Sequence, residues 1–372
     1  MKTTKLLDVA DIIYGYAFDS KLFNTSGEGR PLIRIRDVNT GFSNTYTTEN
    51  APEKYLVRNG DFLIGMDGNF EIVKWTNGDA LLNQRVCKII PKSIKPDYLF
   101  YLLSPILKNI ENKAHSTTVK HLSAKELNKI SFELPNDDQQ SQIANELSDL
   151  HSMLALKCEA LEGLDSLIKS RFNEMFGGES SLRRMDEISN ICRGASPRPI
   201  SKYVTDDPNG INWIKIGDVE NEAIYITHTA EKITQEGVRK SREVKEGDFI
   251  LSNSMSFGRP YILKTSGCVH DGWLIISDYE KYLEPLYFYY ELRSDEVQLQ
   301  FESSASGSTV RNLNSELVRK VKVKVPSLEL QRQFVNFASL IDKSRFIVQS
   351  QIKDLQELLD SKMDEYFGGD EE

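Results

Sequence analysis

Apolar residues fall at Ile143, Leu147, Leu150, Leu154, Leu161, Leu164 and Ile168, in alternating steps of four and three, with Lys157 filling the skipped place. This is a heptad seam, and it predicts a helix from Gln139 of about 38 residues, roughly 55 Å long. The same register returns at Phe334, Ala338, Ile341, Val348, Ile352, Leu355 and Leu359, with Arg345 standing where the first copy has Leu154. A helix of this length that is polar on its other faces is marginal alone. Each seam therefore calls for a partner, and two matching seams in one chain predict an antiparallel coiled coil with the rest of the protein at its ends. Gly177-Gly178 and Gly368-Gly369 end the two helices.

Elsewhere the periodicity shortens to that of strands. Short apolar alternations at 31–38, 61–66, 70–75 and 85–90 read as β-strands, followed by a helical stretch at 96–113 with an interruption near Pro105. A second series repeats the plan, with strands at 212–219, 247–254, 259–264 and 272–277 and helical segments after Glu284. The predicted class is α+β, sheet first and helices after.

The two series are copies. Pro135 pairs with Pro326, Gln140 with Gln331, Gln142 with Gln333, and Phe176-Gly177-Gly178 with Phe367-Gly368-Gly369, all at one offset of 191. A repeat this long makes two domain-plus-helix units rather than a solenoid. The expected organisation is a first domain at 1–138, a central helix at 139–178, a second domain at 179–329, a C-terminal helix at 330–369 and an acidic tail at 370–372, with a pseudo-two-fold axis. Asp37-Val38 matches Asp218-Val219, and Gly60-Asp61-Phe62 matches Gly247-Asp248-Phe249; both read as turn punctuation. The segments that follow differ, GMDGNFEIVKWTNGDALLNQRVCKI against SNSMSFGRPYILKTSGCVHDGWLII. Both are rich in amides, hydroxyls, basic groups and aromatics, which have the donors and acceptors that read base edges.

Composition adds limits. At 40% hydrophobic and 27% charged the 372 residues are those of a globular protein of two or three domains. No apolar run reaches bilayer length and no signal peptide opens the chain, so a cytoplasmic location without membrane contact is expected. Cys87, Cys158, Cys192 and Cys268 show neither zinc-ligand nor disulfide spacing. The net charge of −9 is concentrated in the helical segments and tail: residues 1–138 carry 18 basic and 17 acidic groups, whereas 330–372 carry 5 and 9. A self-sufficient DNA binder would be more basic, so a DNA-binding role implies a partner that shares the phosphate neutralisation.

Catalytic signatures are sparse. Pro96-Asp97 with Glu111-Asn112-Lys113 spells a loose nuclease motif, but the intervening residues are helical and the second copy lacks the set. No P-loop is present, nor any NPPF or DPPY string that would hold a flipped adenine.

Several strings, in order, resemble the DNA specificity (S) subunit of type I restriction-modification systems: GDFLIGMDGNF and LNQRVCKI in the first copy, LSNSMSFGRPYI and GCVHDGWLII in the second, and P…Q.Q opening each long helix. The likeness spans the chain. It implies two target-recognition domains, each followed by a conserved helix, and a subunit without catalysis or bound metal. It also implies double-stranded DNA, two methyltransferase subunits and restriction-translocase subunits as partners, with S-adenosylmethionine, ATP and magnesium held by those partners. Two readers on rigid rods would take an asymmetric, bipartite target with a fixed gap. A coiled-coil scaffold whose domains bind protein, and the related subunit of a fused restriction-modification enzyme, are the alternatives.

Candidate DNA contacts in the first unit are Asn69, Lys74, Asn83, Gln84 and Arg85, then Thr117, Thr118 and Lys120. In the second they are Ser254, Ser256, Phe257, Arg259, His270, Asp271 and Trp273, then Ser308, Thr309 and Arg311. The hydroxyl-rich loops at 117–120 and 308–311 suit phosphates; they equally suit capping of helices that begin near Ser123 and Ser315.

Overall fold

The structure is a computed structural model and describes residues 2–113, 120–219, 223–253, 257–305 and 313–368. The chain divides into two compact units, residues 1–160 with 348–372, and residues 161–347. Each takes a globular part, the domain-proximal part of one long helix and the distal part of the other.

In the first unit the strands Ala10–Tyr14, Val86–Pro91, Phe62–Gly65 and Ile72–Lys74 form one sheet in that spatial order. A second sheet runs Phe23–Asn24, Tyr46–Thr47, Arg30–Ile33, Ala80–Leu82 and Leu56–Val57. Ile33, Val57, Leu63, Trp75, Leu82 and Val86 make one core. The helix Pro96–Lys113 covers the first sheet, with Leu99, Leu102, Leu103 and Leu107 packed against Phe62, Ile64 and Ile89. This helix continues through Pro105, contrary to the expected break. Proline removes one backbone donor there, while the leucines on both sides of it remain anchored in a single core.

The second unit repeats the arrangement. One sheet is Asn190–Arg193, Trp273–Ser277, Phe249–Ser252, Pro260–Leu263 and Tyr225–Ile226; the other is Val204–Thr205, Glu231–Ile233, Ile211–Ile214, Gly267–Val269 and Arg242–Val244. Helices Pro285–Leu292 and Asp295–Ala305 take the place of the single first-unit helix. The segments 31–38 and 212–219, read from sequence as strands throughout, are strands only to Ile33 and Ile214 and then coil into short helical turns. Asp37 and Asp218 cause this: their carboxylates accept from the backbone N–H of Arg34 at 2.9 Å and of Lys215 at 2.7 Å. Asp61 and Asp248 close the next turn in the same way, on Arg58 and Lys245, both at 2.9 Å. Gly60 and Gly247 beside them have φ of +95°, a conformation that disfavours any side chain.

The long helices span Asp137–Phe176 and Leu328–Phe367, 40 residues each. In the first unit Leu147 and Leu150 pack with Leu359, with Ile143, Leu154 and Leu355 at the margins, and Tyr366 reaches Glu146 at 2.5 Å. In the second unit Ile168 shares a core with Phe334, Ala338 and Ile341. There Phe172 meets Phe334 edge-on at 5.2 Å and Arg345 pairs with Asp165. Rising numbers on one helix meet falling numbers on the other, so the pairing is antiparallel. Leu161, Leu164, Val348 and Ile352 are half-buried.

A buried glutamine fixes each helix to its domain. Gln140 donates to the Pro135 carbonyl at 2.8 Å and accepts from the Lys95 N–H at 2.9 Å. Gln331 donates to the Pro326 and Tyr282 carbonyls, both at 2.9 Å, and accepts from Glu284 N–H at 2.8 Å. The repeated proline and glutamine are thus a joint between helix and domain.

Candidate nucleic-acid interface

In each unit one loop passes from the second sheet to the first. Residues 83–85 link the strands Ala80–Leu82 and Val86–Pro91, and residues 270–272 link Gly267–Val269 and Trp273–Ser277. Backbone bonds seat both loops identically. Asn83 N–H donates to Ile33 at 3.2 Å and His270 N–H to Ile214 at 3.1 Å; Gly15 N–H donates to Val86 and Gly194 N–H to Trp273, both at 2.9 Å. A Cβ on Gly15 would lie 1.9 Å from the Asn83 carbonyl oxygen, and one on Gly194 2.3 Å from that of His270, so only glycine allows this crossing.

Two more segments join each loop. Met66 N–H donates to Arg85 at 2.8 Å, and Leu122 N–H to Met66 at 2.7 Å. Their counterparts are Asn253 to Gly272 at 3.2 Å and Leu313 to Asn253 at 2.9 Å. Every unit therefore carries a three-segment rim with the same wiring and different side chains.

On the first rim Arg85 stands in the left-handed region, φ +71°. Its Nη1 lies 3.2 Å from both carboxylate oxygens of Asp67 and 3.4 Å from Nδ1 of His121, which is itself 2.6 Å from Asp67 Oδ1. Nearby, Glu111 accepts from Lys120 at 3.0 Å, Lys108 at 3.3 Å and the Phe70 N–H at 3.3 Å. The Lys120 bond, strongest of these influences, keeps the Glu111 carboxyl below its ordinary range despite opposing burial. Gln84 and Asn69 are exposed.

On the second rim Asp271 is the hub. Its carboxylate accepts from Ser196 Oγ at 2.7 Å and Arg198 Nη2 at 3.1 Å, and its carbonyl from Arg193 Nε at 2.8 Å and Asn253 Nδ2 at 3.3 Å. His270 Nδ1 accepts from Gly272 N–H at 2.9 Å, leaving Nε2 to face Asp271 at 3.2 Å. The Ser196 hydroxyl first, with the bond from Arg198, holds the Asp271 carboxyl below the usual carboxylate range against the effect of burial.

Several candidates fall elsewhere. Trp273, 1% exposed, belongs to the core and meets Tyr261 edge-on at 5.7 Å, because its strand sends it inward between the sheets. Asn83 is buried at 7% exposure by the loop crossing, so its side chain faces inward while Gln84 and Arg85 face out. Phe257 is half-buried against the second core, and Arg259 lies over the Tyr261 ring at 5.7 Å. Lys74 is exposed but paired with Asp97 at 3.3 Å. Thr117, Thr118, Ser254, Ser256, Ser308, Thr309 and Arg311 lie outside the described residues. The helix cap expected near Ser315 is made by Asn314, which accepts from Leu317 N–H at 3.0 Å and is the counterpart of Ser123. Contributors that were not anticipated include Asp67 and His121 on the first rim, and Arg193, Ser196, Arg198 and Asn253 on the second. Arg193 and Arg198 flank a Gly, Ala, Ser and Pro stretch whose loop composition was the available signal.

The nuclease-like spelling has no site. Asp97 and Glu111 lie on one helix, about 21 Å apart along its axis, too far to share a metal ion. Among the described residues no group of three or more His, Cys, Asp or Glu side chains is placed to hold a metal, and no helix is long and apolar enough to cross a membrane.

A family model described as the type I restriction modification DNA specificity domain matches residues 1–164 and again 179–357. The specificity subunit of the type I restriction enzyme EcoBI of Escherichia coli is 29% identical over 364 residues, covering 88% of this chain and 76% of that protein. That of EcoDI, also from Escherichia coli, is 22% identical and covers 73% and 68%. The crystal structure of a type I restriction-modification S subunit from M. genitalium superposes with a TM-score of 0.58 at 14% identity, covering 97% of this chain and 94% of its own. A chain from a structural study of type I restriction-modification complex assembly gives 0.61 at 17% identity, covering 98% and 97%. Doubled domains, doubled helices and a doubled family match agree: the chain belongs to the type I restriction-modification DNA specificity subunits.

Proposed function

We propose that this chain is the non-catalytic, DNA-reading subunit of a type I restriction-modification complex acting in the cytoplasm. Each rim reads one half-site of an asymmetric bipartite duplex target, and the paired helices set the gap. Two methyltransferase subunits and restriction-translocase subunits dock on it and bring S-adenosylmethionine, ATP and magnesium. The observation that carries this reading is the rim itself, built twice with the same backbone bonds and furnished with different polar side chains. A scaffold keeps the first and a reader of two different sequences needs the second. Outward-facing Met153 and Leu156 on the central helix, and Leu340, Phe346 and Ile347 on the C-terminal helix, supply apolar surface for partner subunits.

The net charge of −9 means that the partners contribute part of the phosphate neutralisation. Fluorescence anisotropy on duplexes tests this. The chain with its methyltransferase subunits should bind with an affinity that falls steeply with salt, and the chain alone should bind at least about tenfold more weakly. Tight sequence-specific binding by the chain alone at physiological salt would refute the shared neutralisation. Failure of the complex to bind any duplex would return the domains to a protein-binding scaffold.

A further inference from the structure

The two rims share a device that their sequences do not share. On the first, Arg85 occupies the crossing loop and rests on Asp67. At the equivalent place on the second stands Gly272, where a Cβ would lie 2.8 Å from Ile216 Cδ1 and 3.0 Å from the His270 ring, so a side chain there would have to displace both. The guanidinium comes instead from another segment: Arg198 reaches the same loop and rests on Asp271. Both arginines stay open to solvent, Arg85 with 56% and Arg198 with 80% of its side chain exposed, while their carboxylates are 24% and 26% exposed. Among the described residues Arg85 is bonded through Nη1 and Arg198 through Nη2, so each keeps two further nitrogens for a ligand.

A surface ion pair contributes little to stability. Arg85 also holds a positive φ, which is unfavourable for a non-glycine residue. Stability therefore does not account for the arrangement, whereas orientation does. A guanidinium anchored at one nitrogen presents a planar pair of donors in a fixed direction, and the base edge that matches such a pair is the O6/N7 edge of guanine.

We propose that Arg85 and Arg198 are the guanine-reading residues of the two units, with Asp67 and Asp271 as their positioning residues, so that each half-site of the target contains a G·C pair. This rests on the DNA-reading function proposed above and adds the base read and the residue that reads it.

The test is methylation mapping in cells lacking other modification, with the methyltransferase subunit co-expressed beside the unsubstituted chain, Arg85→Ala, Arg198→Ala, Asp67→Asn or Asp271→Asn. In Arg85→Ala, preference for G·C should relax by roughly 5- to 150-fold at one position of one half-site while the other half-site is read as before. Arg198→Ala should relax one G·C position in the other half-site. Each carboxylate variant should relax the same position as its arginine, which a purely structural role would not do. The unaffected half-site reports folding within the same molecule. A motif lacking G·C in either half-site overturns the proposal. So does an even loss of methylation at all sites without change of motif, which would make the arginines phosphate contacts. If the unsubstituted chain directs no bipartite motif, the DNA-reading function itself fails, a separate outcome.

Discussion

Replacing Gln331 by alanine removes a buried amide that serves three backbone groups, the carbonyls of Tyr282 and Pro326 and the N–H of Glu284. Each loses its partner, one in a buried and two in part-buried surroundings, at about 1–3 kcal/mol apiece before water enters. Water entering the space left by the side chain reduces the penalty, which gives a loss of about 3–4 kcal/mol. Gln140 serves two groups, the Pro135 carbonyl and the Lys95 N–H, and its replacement should cost about 2–3 kcal/mol. Gln142 and Gln333, the other repeated glutamines, are exposed, and their alanine variants should change stability by under about 0.5 kcal/mol. Thermal unfolding of the purified chain followed by circular dichroism is the assay. A unit of this size shifts by about 2–4 °C per kcal/mol, so Gln331→Ala should lower the midpoint by about 6–16 °C. Equal midpoints for the buried and exposed glutamine variants would refute the joint between helix and domain.

Trp273→Ala should destabilise the chain in the absence of DNA by about 3–5 kcal/mol in urea unfolding, as expected of a core residue. Burial raises the Glu291 carboxyl from 4.5 to about 7. The folded state therefore holds a proton that the unfolded state releases: stability is greatest below pH 4.5 as far as this group is concerned, falls between pH 4.5 and 7, and is constant above. Glu291→Gln should abolish that slope, as read from urea unfolding at several pH values. Gly15→Ala forces a Cβ onto the Asn83 carbonyl and should erase recognition of one half-site in methylation maps, with Gly194→Ala acting on the other. Phe346→Asp, on an exposed face, should leave the melting midpoint unchanged and lower recovery of methyltransferase subunits in affinity purification.

The long helices were legible because a seam repeated at steps of three and four leaves few alternatives; the offset of 191 marked the paired glutamines, but their role as a joint is visible only in their bonds. Turn chemistry was legible at Gly60-Asp61 and Gly247-Asp248, where left-handed glycine and a side-chain acceptor occur together. The strand ends at Ile33 and Ile214 were less visible: IRIRDV and IKIGDV alternate as strands do, and a single aspartate accepting from a backbone N–H three residues earlier bends them into helical turns. Residue types pointed to the loops that build the rims without separating inward from outward side chains. Asn83, in the first crossing, and Trp273, just after the second, turn inward, whereas Arg85, at a positive φ, turns out. Arg198 and Asp271 are 73 residues apart, and only the fold brings them together.

Two differently furnished rims that read two halves of one target would leave a direct trace in modified DNA. Sequencing of modified bases in cells that express this chain with its methyltransferase subunit, beside cells in which the chain is omitted, measures that directly. An asymmetric two-part motif with a fixed gap is expected, and only when the chain is present. An active methyltransferase that leaves no such motif, or one that leaves the same motif without this chain, would contradict it.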